Sequence, residues 1–136
     1  MNVKRLAIVV VTLFLASIVA GTVQATPIAG LSEAQRTAIG IAFSTPAGLL
    51  VFGLIGSNFD TDDYLANRSN AGKFGDLVFV ELAAFIVALG AATAFEGSLG
   101  SLAGWIGAGS GYFAAFLTFT WRAGDYLLDP NADDDE

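Results

Sequence analysis

Residues 97–121 read GSLGSLAGWIGAGSGYFAAFLTFTW, and none of them carries a charge. An α-helix rises about 1.5 Å per residue, so about 20 apolar residues cross a hydrocarbon core about 30 Å thick. Residues 37–59, between Arg36 and Asp60, form a second uncharged run long enough to do so. Two further apolar stretches, 6–25 and 77–95, leave little sequence for loops and tails. The expected fold is all-α: a polytopic transmembrane bundle of four helices, or three if residues 1–25 are a cleaved signal peptide. Residues 26–124 form the bundle, with helices at about 33–57, 75–95 and 99–122, and residues 125–136 form an acidic interior tail.

The same stretch predicts how the last helix packs. Gly97, Gly100, Gly104, Gly107 and Gly111 recur at intervals of three and four, and Ala114 and Thr118 continue the series. On a helix that spacing draws one seam of minimal side chains. Lipid tails supply no hydrophobic drive for helix association, so close backbone approach along small residues supplies the contact. Leu99, Leu102, Ile106, Phe113 and Phe116 fall away from the seam and suit lipid. The helix expected at about 33–57 repeats the device with Gly40, Ser44 and Gly48, and Pro46 within it removes a helical amide and predicts a kink. Ser32 with Gln35 has capping-box spacing and places the start of that span near Glu33.

Hydrophobic residues make up 54% of the chain and charged ones 14%, against about 25% charged in a soluble domain. Cysteine and histidine are absent, which removes disulfides, thiolate sites, the usual general base and the commonest metal ligand. No catalytic pair shares one depth, and the expectation is a protein that is not an enzyme, with no cofactor and no bound metal. Asp60, Asp62 and Asp63 lack the glycine and the closing glutamate of a calcium loop; Leu65 and Ala71 stand there instead. Asn67-Arg68-Ser69 matches a glycosylation acceptor and reads as a chance match on the inner side.

At the amino end, Lys4 and Arg5 precede an apolar stretch that ends Val23-Gln24-Ala25. A signal peptide cleaved after Ala25 and an uncleaved first transmembrane helix both fit. Either leaves Lys4 and Arg5 inside, and Arg68, Lys73 and Arg122 then fall inside as well, with Arg36 alone outside. That bias places both termini on the inner side. Phe59, Tyr64, Phe74, Trp121 and Tyr126 fall near the inner headgroup level, as an aromatic belt would.

Glu81 is the one acid well inside an apolar run, and Ala84, Ala88 and Ala92 follow it on one helix face. A charge near mid-bilayer costs about 2.5–3.5 kcal/mol on insertion scales, so it requires a partner or a proton. Arg122 ends the last helix on the same side. The expected arrangement is a Glu81–Arg122 pair, or a protonated Glu81 within the bundle.

The net charge of -7 gathers in the tail, where Asp125, Asp129, Asp133, Asp134, Asp135 and Glu136 meet no base. Such acid-rich, lysine-poor segments suit molar salt, where screening falls to about 3 Å. They repel nucleic acid, so no nucleic-acid partner is expected. In this acidic bias, its four apolar segments, its scant exterior and its inner tail, the whole chain resembles the small internal membrane protein of haloarchaeal pleomorphic viruses (pleolipoviruses). The resemblance is one of architecture and composition and carries no functional residues over. It implies a structural protein in a virion envelope, with lipid, neighbouring transmembrane helices, and either further copies of itself or a spike protein as partners. The competing class is transport: a small channel, a holin-like pore or a transporter accessory subunit in a haloarchaeal cell membrane. Pro46, Glu81 and the glycine seam favour transport, and the scarcity of polar residues to line a pore opposes it.

Overall fold

The computed structural model describes residues 3–55 and 59–127. The elements are α1 (Val3–Ala25), α2 (Glu33–Ala42), α3 (Thr45–Ile55), α4 (Thr61–Asn67), α5 (Asn70–Leu99) and α6 (Leu102–Arg122), followed by one 3₁₀ turn, Gly124–Tyr126. Among the described residues the chain is all-helical, with a single isolated bridge between Phe59 and Leu127. Three helices are long and apolar enough to cross a membrane: Leu6–Ala25 within α1, α5 and α6. The side chains of Lys4 and Arg5, the expected helix end at residues 56–57 and tail residues 128–136 lie outside the described residues.

Local chemistry sets the boundaries. The Ser32 side chain accepts from the Gln35 amide at 3.2 Å while Gln35 Oε1 accepts from the Ser32 amide at 2.9 Å, so the expected capping box opens α2. Asp60 and Ser69 cap α4 and α5 in the same way, accepting from the amides of Asp63 and Gly72. Gly100, at φ 55° and ψ -128°, ends α5 in a backbone conformation that side-chain-bearing residues rarely adopt. The chain then reverses into α6.

The span expected as one kinked helix at 33–57 is two helices broken at Phe43 and Ser44. Pro46 has no amide to give the carbonyl of Ala42. The Thr45 hydroxyl donates to that carbonyl instead, at 2.8 Å, and the Ser44 hydroxyl donates to Ile41 at 2.6 Å. Two side chains thus satisfy carbonyls that an unbroken helix would have served, and the kink becomes a break.

Packing is closest between α5 and α6, which run antiparallel. Ala84, Ala88, Ala92 and Ala115 are fully buried where these helices meet. A Cβ added at Gly107 would lie 2.5 Å from the Ala88 carbonyl oxygen, and one at Gly111 would lie 2.7 Å from that of Ala84. Gly104 meets α2 instead, 2.8 Å from the Ala34 oxygen. The seam is therefore real but differently placed. Gly97 and Gly100 belong to the end of α5 and the turn and have open space around them, while Ala114 is only half-buried and Ala115 takes its place. The three-and-four count had run across a reversal of the chain.

The α2–α3 segment follows this hairpin lengthwise, antiparallel to α5. Gln35 donates to Thr93 at 2.9 Å, Phe43 meets Phe85 edge-on at 5.8 Å, and Thr45 meets Glu81. Gly40 faces α1, where a Cβ would lie 2.8 Å from the Ala20 oxygen. Outward, Ile86, Trp105 and Phe113 are each more than 60% exposed, a surface that water does not tolerate and lipid does.

Candidate functional site

The charged groups converge on a residue outside the expected pair. Asp76 stands in the second turn of α5, on the face that continues through Val80, Ala84, Ala88 and Ala92, and is 1% exposed. Arg68, between α4 and α5, reaches it with two nitrogens, Nε to Oδ2 at 3.0 Å and Nη2 to Oδ1 at 2.9 Å. Arg122, at the last turn of α6, donates from Nε to Oδ1 at 2.8 Å. The Tyr64 hydroxyl of α4 donates to Oδ2 at 3.0 Å. One carboxylate thus holds three separate pieces of the chain, and charge-assisted hydrogen bonds of this kind are among the strongest available to it.

The expected Glu81–Arg122 pair does not form. Helix rise explains why: Glu81 lies five residues beyond Asp76, about 7.5 Å deeper along α5, while the Arg122 guanidinium stays at the level of Asp76. Arg122 also lies over the Phe79 ring, 4.4 Å from its centroid, and donates nothing further inward. Its Nη2 sits 3.2 Å from where a Cβ at Gly75 would fall, so glycine there makes room for it. At about 45 Å, α5 exceeds the hydrocarbon thickness.

Glu81 has a different setting. Its Oε2 lies 3.3 Å from the Thr45 hydroxyl, and its buried Oε1 has no hydrogen-bond partner. Thr45 is itself fully buried at the start of α3 and uses its single hydroxyl proton on Ala42. Close by, Ser44 and Tyr112 hydroxyls meet at 2.6 Å. The helix break, Glu81 and these hydroxyls make a small polar layer inside an otherwise glycine and alanine interior.

Around the Asp76 lock the aromatic residues do not form a simple belt. Phe59, Tyr64, Phe119 and Tyr126 pack on one another, with centroids 5.2 Å apart for Phe59–Phe119 and for Tyr64–Tyr126. Phe74 and Trp121 alone of the expected belt stay exposed, at 67% and 81%. The Asp60 amide donates to the Tyr126 carbonyl at 2.9 Å, which ties the end of the described chain to the α3–α4 connection.

Burial, and next the hydrogen bond it donates to Asp76, push the Tyr64 phenol up to about 12. Folding thus favours its protonated form. The contribution is complete below the ordinary tyrosine value of about 10 and disappears as pH rises from there through about 12. An ultraviolet absorbance titration is expected to show one phenol ionising near 12, a step missing in Tyr64→Phe.

Asp76 was legible in retrospect. It stands one four-residue step before Val80 on the small-residue face of α5, and Arg68 and Arg122 both pair with it. Glu81, within the apolar run, is the more conspicuous acid in the sequence. The expected calcium-loop departures hold a simpler role for Asp60, which caps α4. Among the described residues no group of three or more acids is placed to hold a metal ion. Compared with protein-family models, curated proteins and solved structures, the chain finds no match.

Proposed function

We propose that this chain is a small structural integral membrane protein that packs in and organises a lipid membrane. On this reading it has four spans, α1, α2–α3, α5 and α6, with both termini inside, and serves as the interior-facing membrane protein of a haloarchaeal lipid-enveloped virion. The observation that carries the structural role is the close contact of α6 with α5 and α2, where Gly104, Gly107 and Gly111 bring backbone against backbone. Such packing fills the space a conduction path would need. The virion setting rests on the acidic composition and the four-segment plan. Nothing in this proposal depends on a soluble domain.

Retention of α1 belongs to the same reading. Removing residues 1–25 would strip the Ala20 backbone and Gln24 from Gly40 and leave a glycine face of α2 bare. Intact mass of the purified protein separates retention from cleavage after Ala25. The natural absence of cysteine makes sidedness accessible too. A cysteine at exposed Asp125 is expected to react with an impermeant maleimide only from the inner side.

A channel or transporter subunit is the second reading, favoured by the unpartnered Glu81 oxygen beside a broken helix. Reconstitution into sealed vesicles tests the two. The structural role predicts ion leak equal to that of protein-free vesicles for both the natural chain and Glu81→Gln. Protein-dependent leak abolished by Glu81→Gln establishes transport instead.

A further inference from the structure

α3 and α5 touch only sparsely, and between them the wall of the molecule is open. A groove of about 380 Å³ runs there from Pro46 and Val80, deep in the bundle, to Leu65 and Lys73 at the Asp76 end. Leu49, Leu50, Leu77 and Phe119 are among its lining residues, and its walls are almost wholly apolar. From Val80 to Lys73 the groove follows α5 for about 10 Å, parallel to the helices that cross the membrane. An apolar trough in that direction, open at the side, has the shape of a hydrocarbon chain and adjoins the acyl region of a bilayer.

The inner end of the trough has the opposite chemistry. Lys73 Nζ donates to the Leu65 carbonyl oxygen at 2.6 Å, which holds the ammonium at the rim. An ammonium has three donors, so this bond fixes its place without exhausting it. Asp76 also lines the groove, but Arg68 and Arg122 together exceed its single charge. Lys73 is thus the one cation among the groove's lining residues, and the charge of Asp76 is taken up by the two arginines. Asp62 and Asp63 stand exposed on α4, and Asp60 is turned to its cap on that helix.

Resting on the membrane reading above, we propose that this groove binds one chain of an anionic phospholipid, with the phosphate at Lys73 and the hydrocarbon along Leu50 and Leu77. Charge complementarity at the rim selects the headgroup, and the apolar trough accepts the tail. Zwitterionic lipid fits the trough equally well but gains less from the cation.

A tryptophan in the trough reports occupancy directly. The natural tryptophans, Trp105 and Trp121, are exposed elsewhere on α6 and are replaced by phenylalanine, and Leu77→Trp is introduced. The delipidated full chain in neutral detergent is then titrated with phosphatidylglycerol or phosphatidylcholine, each brominated on its acyl chains. Phosphatidylglycerol is expected to quench at about fivefold lower mole fraction, the preference worth roughly one interfacial lysine. Lys73→Gln is expected to erase that preference while leaving quenching by phosphatidylcholine unchanged. Equal quenching by the two lipids in the Lys73 protein overturns the site and leaves the membrane reading intact. Quenching by neither lipid overturns both. A preference that survives Lys73→Gln also overturns the assignment, because the selectivity then arises elsewhere. Circular dichroism of each variant confirms that the helices are retained.

Discussion

Replacing Asp76 by alanine is expected to lower the stability of the fold by about 3 kcal/mol. Removing the acid from a buried ion cluster leaves its cations uncompensated, a loss of about 3–5 kcal/mol in buried pairs. The lower end applies here because Arg68 and Arg122 are 23% and 22% exposed and can turn to water once released. Asp76→Asn keeps an oxygen for one donor and is expected to lose less. Glu81→Gln breaks no ion pair, because Glu81 has only the 3.3 Å contact to Thr45. Unfolding in mixed micelles with increasing dodecyl sulfate, followed by circular dichroism, ranks the three variants. The predicted order of loss is Asp76→Ala, then Asp76→Asn, then Glu81→Gln. Were Glu81→Gln the most harmful, the charge organisation described above would be wrong.

Gly107→Ala is expected to be nearly as damaging, at about 2–3 kcal/mol. The added methyl would stand 2.5 Å from the Ala88 oxygen and 3.0 Å from the Ala38 and Ala92 methyl carbons. The first obstacle is backbone, which cannot rotate away as a side chain would. Relief requires α6 to move off α5 along its whole contact. Gly97→Ala is the matched control, since that glycine lies inside helical α5 with nothing within 4 Å. It is expected to gain about 0.5–1 kcal/mol, because alanine restricts the unfolded chain and favours helix. Opposite signs from one chemical change, measured in the same micelle assay, separate the packing seam from glycines that merely share its spacing.

These two effects also mark where sequence reasoning succeeded and where it stopped. Long apolar runs made α1, α5 and α6 legible, because crossing hydrocarbon demands length and apolarity and little else. The start of α2 was legible because a capping box is a local device, complete within Ser32 to Gln35. The seam was legible in kind but not in extent. A period of three and four holds only on one unbroken helix, and Gly100 interrupts it by taking a left-handed backbone that ends α5. Pro46 alone predicts a kink, and the structure has a break at Phe43 and Ser44. What decides between kink and break is the pair of neighbouring hydroxyls, Ser44 and Thr45, that satisfy the carbonyls of Ile41 and Ala42.

The charge cluster was the least legible part. Glu81 is the acid deepest in an apolar run, yet its distance along α5 is the reason Arg122, held by Asp76, does not reach it. Asp76 is less conspicuous in sequence, six residues after Asn70 and three after Lys73, in a segment that reads as loop and helix start. Its role depends on three partners, Tyr64 and Arg68 at α4 and its end and Arg122 at the end of α6. Only the antiparallel return of α6 brings the last of them alongside. Tertiary placement, not local pattern, makes the site.

The account rests on lipid as the solvent for most of this chain, and extraction of membranes with alkaline carbonate tests that most directly. Peripheral and soluble proteins are released under those conditions, whereas a chain with several hydrocarbon-crossing helices stays with the sedimented membrane. Complete retention, with release only by detergent, is the predicted result. Recovery of the chain in the carbonate supernatant, folded and monomeric in detergent-free buffer, would contradict it.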